Sequence, residues 1–209
     1  MEDRTVEYKG VKITLFGHAS VKIKGNKVIY IDPYILPEGE VEKADLVIFT
    51  HGHFDHCVDP SRIMKEDTIT IGCDCRYASR DIRPGDHISL EGIEIEAVYA
   101  YNPNKPFHPK GAGVGVIIEI DGVKIYHTGD TEYIPEMEEL KGKVDVALLP
   151  IGGTYTMDVG QAVKAADIIE PKLVIPMHYN VIEGTEADPE EFKRKVESLG
   201  KGIKVEILY

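Results

Sequence analysis

"THGHFDHC", residues 50–57, places three histidines and one aspartate within six consecutive positions, His51 to His56. Imidazole nitrogens and a carboxylate at this density suit a transition metal such as Zn, Fe, Mn or Co. In a plain solvated loop these groups would crowd and titrate against one another. The residues before the cluster, "LVIFT" (46–50), form a short apolar, β-branched run that reads as a buried strand. The cluster therefore sits at the C-terminal end of a strand, where open sheets place their sites.

One loop cannot fill two metal sites, so further ligands are expected at other strand ends. Asp32 ends "KVIYID". His108 lies in the Pro-, Gly- and Asn-rich loop 100–113 that follows "IEIEAVYA". Asp130 sits in "HTGDT" after a strand, and His178 ends "LVIPMH". Short β-type runs dominate the first half: "VKITLF", "SVKIKG", "KVIYID", "LVIFT", "TITIG" and "IEIEAVYA". The second half opens with two strands flanking Asp121-Gly122, a two-residue hairpin signal. A short helix is expected over "IPEMEELKG", and longer ones over "TMDVGQAVKAADIIEPK", capped at Thr156 or Asp158, and "DPEEFKRKVESLG". Apolar strands alternate with these, and "IKVEILY" is expected as a final strand. This order suits an α/β (α+β) fold, a four-layer αββα sandwich of two mixed β-sheets flanked by helices. No linker-like tract interrupts it, so residues 1–209 are expected to form a single domain.

The bulk numbers agree with an ordinary globular protein. Of 209 residues, 43% are hydrophobic and 29% charged, enough for a sizeable core. The net charge of -12 disfavours extended nucleic acid as a partner. No apolar run is long enough to span a membrane, and the polar start "MEDRTVEYKG" is unlike a signal peptide. A cytoplasmic location follows as the expectation. The three cysteines, Cys57, Cys73 and Cys75, are few and odd in number, so no disulfide is expected.

In this order, Asp32, the His51–His56 block, His108, Asp130 and His178 resemble the motifs of the metallo-β-lactamase superfamily of metal-dependent hydrolases, over nearly the whole chain. The strings "LFGHASVKI", "YHTGDT", "LLPIGGTYTM" and "IPMHY" are most similar to the small single-domain group of ascorbate-6-phosphate lactonase-like proteins. The resemblance implies the metallo-β-lactamase fold and two divalent ions, with zinc first and Mn, Fe or Co as alternatives. One ion would take His51, His53 and His108; the other would take Asp55, His56 and His178. Asp130 would bridge them, and Asp32 would orient a ligand histidine from behind. A hydroxide shared by the ions would attack a small ester, lactone or phosphodiester, with Asp55 and Asp130 as the catalytic carboxylates. Zinc β-lactamases usually carry Cys or Ser where Asp130 stands, which argues against antibiotic hydrolysis.

Weaker signals surround these. His18 in "GHAS" reads either as a core or turn histidine or, by the resemblance, as a residue of the cleft wall that contacts substrate or supports a ligand; Tyr155 and Thr156 are further candidates for the substrate pocket. His127 shares a strand face with Val123 and Ile125 and is expected as a core histidine. His87 is expected to be structural or exposed. Arg76, Arg80 and Arg83 would suit a phosphate, but a solvated face explains them as well. A small-molecule substrate is the expected partner, and a homo-oligomer is left open. Two other readings compete: a phosphodiesterase acting on short or cyclic nucleotides, and a non-catalytic metal-binding regulatory module.

Overall fold

The computed structural model describes residues 4–209, so Met1–Asp3 of the polar N-terminus lie outside the described part. Fourteen strands form two seven-stranded sheets. The first sheet follows chain order: β1 (Thr5–Tyr8), β2 (Val11–Gly17), β3 (Ser20–Lys24), β4 (Val28–Ile31), β5 (Leu46–Phe49), β6 (Ile69–Gly72) and β7 (Arg80–Asp81). The second runs from β8 (His87–Leu90) through β9 (Ile93–Tyr99), β10 (Val114–Ile120), β11 (Val123–His127), β12 (Val146–Pro150) and β13 (Leu173–Met177) to β14 (Lys204–Val205). Both sheets are mixed. Antiparallel hairpins open each one, and parallel pairing begins at β4–β5 and at β11–β12.

Alternation buries one face of each sheet against the other. Ile13, Leu15, Ile23, Ile29 and Ile48 from the first sheet meet Ile95, Val116, Ile118, Ile125 and Ile175 from the second in one apolar cluster. Parallel strands covered on both faces lose the alternation and become wholly apolar, as "LVIF" in β5 and "VALLP" in β12 show. The outer face of the second sheet is covered by α1 (Val159–Ile169), α2 (Pro189–Glu197) and a 3-10 turn at Pro135–Leu140. Helix α1 starts where Asp158 accepts a hydrogen bond from the Gln161 amide at 2.8 Å, a cap contributing about 1 kcal/mol. It ends with Glu170 in the left-handed region, followed by Pro171. Its buried face is Ala162, Ala165, Ala166 and Ile169, at helical spacing. The outer face of the first sheet, around Tyr30, Val47 and Phe49, is covered by turn-rich segments carrying Ile35, Leu36, Ile63 and Tyr77.

The expected hairpin forms at Asp121-Gly122, with φ of 49° and 74°, the pair of positive values a type I′ turn requires. Two expectations change. "IPEMEELKG" closes as a 3-10 turn. The last strand is only two residues long, because Pro176 in β13 has no N–H to donate to the next rung, which would be the Glu206 carbonyl.

The cysteine reading is corrected. Cys57 and Cys75 form a disulfide across a separation of 18 residues, leaving only Cys73 free and buried. The odd count hid the pair, since one thiol of Cys73-Asp74-Cys75 points into the core while its neighbour two residues on reaches Cys57. Burial pushes the Cys73 thiol up to about 11, so it is not a nucleophile. Closing a loop of this length stabilises the fold by about 3 kcal/mol through the unfolded chain. A Cys57→Ser/Cys75→Ser variant should unfold at lower denaturant, with a loss of roughly that size, while Cys73→Ala leaves a thiol titre of zero before reduction and two after it. Equal denaturation midpoints for the double variant and the parent would refute the assignment.

Candidate metal centre

The candidate ligands converge on one edge of the sandwich, each from the end of a strand. β5 leads into His51, His53, Asp55 and His56. The loop after β9 brings His108, β11 leads to Asp130, and β13 leads to His178. All but His53 are buried. Three sets of ligand atoms lie within 4.8 Å of one another: His51, His53 and His108; His18, Asp55, His56 and His178; and His51, His56 and Asp130.

Hydrogen bonds fix which ring nitrogen faces inward. Nδ1 of His56 donates to Asp32 Oδ2 at 2.7 Å, Nδ1 of His51 donates to Thr50 Oγ1 at 3.0 Å, and Nδ1 of His108 donates to the Tyr155 carbonyl at 3.2 Å. With the proton on Nδ1, each Nε2 lone pair points into the site. His51 Nε2 and His108 Nε2 lie 3.0 and 3.2 Å from His53 Nδ1, so three acceptor nitrogens face one another. Asp130 sits between the sets, its Oδ2 at 3.0 Å from His178 Nε2 and 3.4 Å from His108 Nε2, its Oδ1 at 3.5 Å from His56 Nε2. His56 Nε2 and Asp130 Oδ1 are buried with no hydrogen-bond partner. Orphaned acceptors at this depth are costly unless a cation satisfies them, and this donor set fits divalent ions.

The electrostatics point the same way. Burial opposes a charge on Asp130, but the His178 and His56 rings outweigh it and hold the carboxyl well below the usual carboxylate range. Burial and the neighbouring His56 keep the His51 ring well below the usual imidazole range, hence neutral. Burial also opposes charge on His56, yet Asp130 and Asp32 outweigh it and raise that ring well above its usual value. The proton they draw there sits on the same lone pair a metal would take, so proton and cation compete for it.

Asp32 has no exposure and lies behind the site. Its Oδ1 accepts from the Thr50 amide at 2.8 Å, and its Oδ2 from Thr50 Oγ1 at 2.6 Å as well as from His56. Local backbone strain accompanies the assembly. His18, Asp32 and His178 have φ of 54°, 46° and 55°, in the left-handed region that non-glycine residues rarely adopt. Gly129, at φ 61°, lets the Asp130 loop pass the Val114 carbonyl, which a Cβ would meet at 2.5 Å.

Two pocket candidates do not line the cavity. His18 is fully buried and supports Asp55, the second of the roles its position suggests. Its Nε2 is 2.9 Å from Asp55 Oδ2, and its ring centroid is 3.8 Å from that of His178. Thr156 is also fully buried, its hydroxyl donating to the Met157 carbonyl, and is not part of the cavity lining. Tyr155 does line the cavity, together with Phe54, Phe107 and Ile182, which ligand spacing does not single out. Phe54 alone had a legible signal: it lies inside the metal-type block, so its backbone is carried to the site. His127 is a core histidine, accepting from the Gly129 amide and donating to the Ala19 carbonyl at 3.1 Å. His87 is exposed. Arg83 is held by Asp74 and Asp81, and none of Arg76, Arg80 and Arg83 lines the cavity.

Comparison with known proteins follows this geometry. The model of the beta-lactamase superfamily domain matches residues 12–178. A UPF0173 metal-dependent hydrolase of Thermoplasma acidophilum is 38% identical, over 92% of this chain and 93% of its own. One from Pyrococcus furiosus is 37% identical, over 95% and 96%. The solved structure of a candidate metal-dependent hydrolase from Parabacteroides distasonis superposes with a TM-score of 0.84 at 33% identity, covering 98% of this chain and 96% of that one. Igni18, a metallo hydrolase from Ignicoccus hospitalis, gives 0.77 at 34% identity, covering 94% of each. Matched across most of its length by this domain model and by relatives above one-third identity, the chain belongs to the metallo-β-lactamase superfamily, among its UPF0173 metal-dependent hydrolases.

Proposed function

We propose that this metal-dependent hydrolase holds two divalent ions, zinc being the first choice, and cleaves a small ester or lactone. The observation that carries this is the inward set of Nε2 lone pairs of His51, His56 and His108, each fixed by a bond from its own Nδ1, around the Asp130 carboxylate. In this reading His51, His53 and His108 hold one ion, Asp55, His56 and His178 hold the other, and Asp130 lies between them. Ions held by these residues would supply an activated water and polarise the scissile carbonyl.

The chain's own groups do the rest. Asp130 neutralises the centre and fixes the spacing of the two sets. Asp55 is oriented by His18, whose Nε2 lies 2.9 Å from Asp55 Oδ2, and as a ligand beside the activated water it would orient that water's proton. Asp32 holds the His56 ring in its tautomer and the loop at Thr50. Phosphodiester cleavage of nucleotides is the poorer fit, since no Lys or Arg lines the cavity to hold a second phosphate. A purely regulatory role is disfavoured because every expected ligand is present and converges. No helix of the described residues is long and apolar enough to cross a membrane, and we infer a single domain acting in the cytoplasm on a small molecule.

Elemental analysis of protein purified with metal should give two divalent ions per chain, and a chelator should abolish turnover of p-nitrophenyl butyrate, with recovery on adding zinc or manganese. Asp130→Ala should retain at most one ion and lose at least about 100-fold in kcat/KM; full metal content with unchanged turnover would sink the assignment. Asp32→Asn should weaken metal binding by about 10–100-fold, as removal of an outer partner of a ligand imidazole does, measured by chelator competition with the circular dichroism spectrum unchanged.

A further inference from the structure

The cavity beside the candidate centre has a volume of about 240 Å³. Beyond the candidate ligands its lining is Phe54, Phe107, Tyr155 and Ile182. Two aromatic pairs flank its mouth: Tyr34 meets Phe54 edge-on at 6.2 Å, and Phe107 meets Tyr155 edge-on at 4.9 Å. Six large apolar side chains are exposed among the described residues. Two of them, Phe54, 72% exposed, and Phe107, line the cavity, and a third, Tyr34, packs on Phe54. Scattered apolar residues on a surface need no explanation, but a cluster around a cleft marks a place that binds apolar matter.

No Lys or Arg lines that wall, and Lys105 of the same loop as Phe107 is committed elsewhere. Lys105 Nζ donates to the carbonyls of Gly153 and Thr156, with Glu132 at 3.8 Å. A carboxylate or phosphate carried away from the scissile bond would lie against aromatic rings in a protein of net charge -12, with no lining cation to pair with. A cavity of about 150 Å³ accommodates benzene, so this one suits a single substituted phenyl or a short branched acyl group.

Resting on the hydrolase reading above, the geometry points to a substrate class: neutral esters or lactones whose arm beyond the scissile carbonyl is apolar and uncharged, seated between Phe54 and Phe107. This departs from the anionic sugar-phosphate lactones that the sequence resemblance suggests. The reaction consumes one water. The acyl carbon gains the water oxygen and its bond to the leaving oxygen breaks; one water proton goes to the leaving alkoxide, and the acid product ionises by releasing the other to solvent. No oxidant or reductant is needed.

The test uses the metal-loaded protein with p-nitrophenyl hexanoate and p-nitrophenyl hemisuccinate, with and without chelator. We expect kcat/KM for the hexanoate to exceed that for the hemisuccinate by at least about tenfold. In Phe54→Ala and in Phe107→Ala that preference should fall below about twofold, mainly through KM. In Phe54→Lys the hemisuccinate should become the better substrate. Chelator-sensitive turnover without any such preference overturns the substrate class and leaves the hydrolase reading standing. Without chelator-sensitive turnover of either ester the hydrolase reading fails, and calorimetry then decides the pocket. Phenylacetohydroxamate binding at least tenfold tighter than succinyl monohydroxamate, with the difference lost in Phe107→Ala, supports it. Equal binding, or none, overturns it.

Discussion

Asp32 carries its carboxylate into the interior with no exposure, and the loop that follows β5 is folded around satisfying it. A buried carboxylate is tolerated only where its lone pairs are occupied. Here the Thr50 amide, the Thr50 hydroxyl and His56 Nδ1 occupy them at 2.8, 2.6 and 2.7 Å. These three bonds fix where the chain leaves β5 and which nitrogen of His56 looks into the site. The Thr50 hydroxyl in turn receives His51 Nδ1, so one acid settles the orientation of two rings. Strand β4 supplies that acid because its neighbour in the parallel ladder is β5 itself, whose register sets Ile31 beside Ile48.

The remaining ligands depend on both sheets ending at the same edge. The His178 amide donates to the His18 carbonyl at 2.8 Å, joining the end of β13 in one sheet to the β2–β3 hairpin of the other. The Val114 amide donates to the Thr50 carbonyl at 2.9 Å and makes a second such link. Residues at these joins adopt the left-handed backbone of His18 and His178, a cost of order 1–3 kcal/mol each that the surrounding core must offset. Turns such as Lys9, Glu91 and Asp121 share this backbone, but His18, Asp32 and His178 bring it to the candidate site.

Much of this was legible in the residues. The strand-end positions of Asp32, His51, Asp130 and His178 followed from apolar runs that stop at a ligand-type side chain, and the helix over "TMDVGQAVKAADIIEPK" announced itself by Asp158 and Pro171. What stayed hidden depends on distance through space. Nothing in "GHAS" says that His18 turns away from solvent to reach Asp55, since that follows from the local bulge in β2 and the packing of the other sheet. Nothing in the spacing of Cys57, Cys73 and Cys75 tells which of the last two faces Cys57. The aromatic lining is equally unannounced, because Phe54 and Phe107 lie in loops with no periodicity to read.

The bond between Cys57 and Cys75 lies one residue beyond His56. With Asp32 gripping the loop at Thr50 and the disulfide gripping it after His56, the segment carrying four candidate ligand side chains is tethered at both ends. Its backbone loses its conformational freedom when the chain folds, not when an ion arrives. Metal exchange then asks for little more than rotation of side chains and release of protons, so the entropy of ordering is absent from the binding equilibrium. An ion lost to dilution can be replaced without rebuilding the loop, and the empty and loaded enzymes should share one backbone.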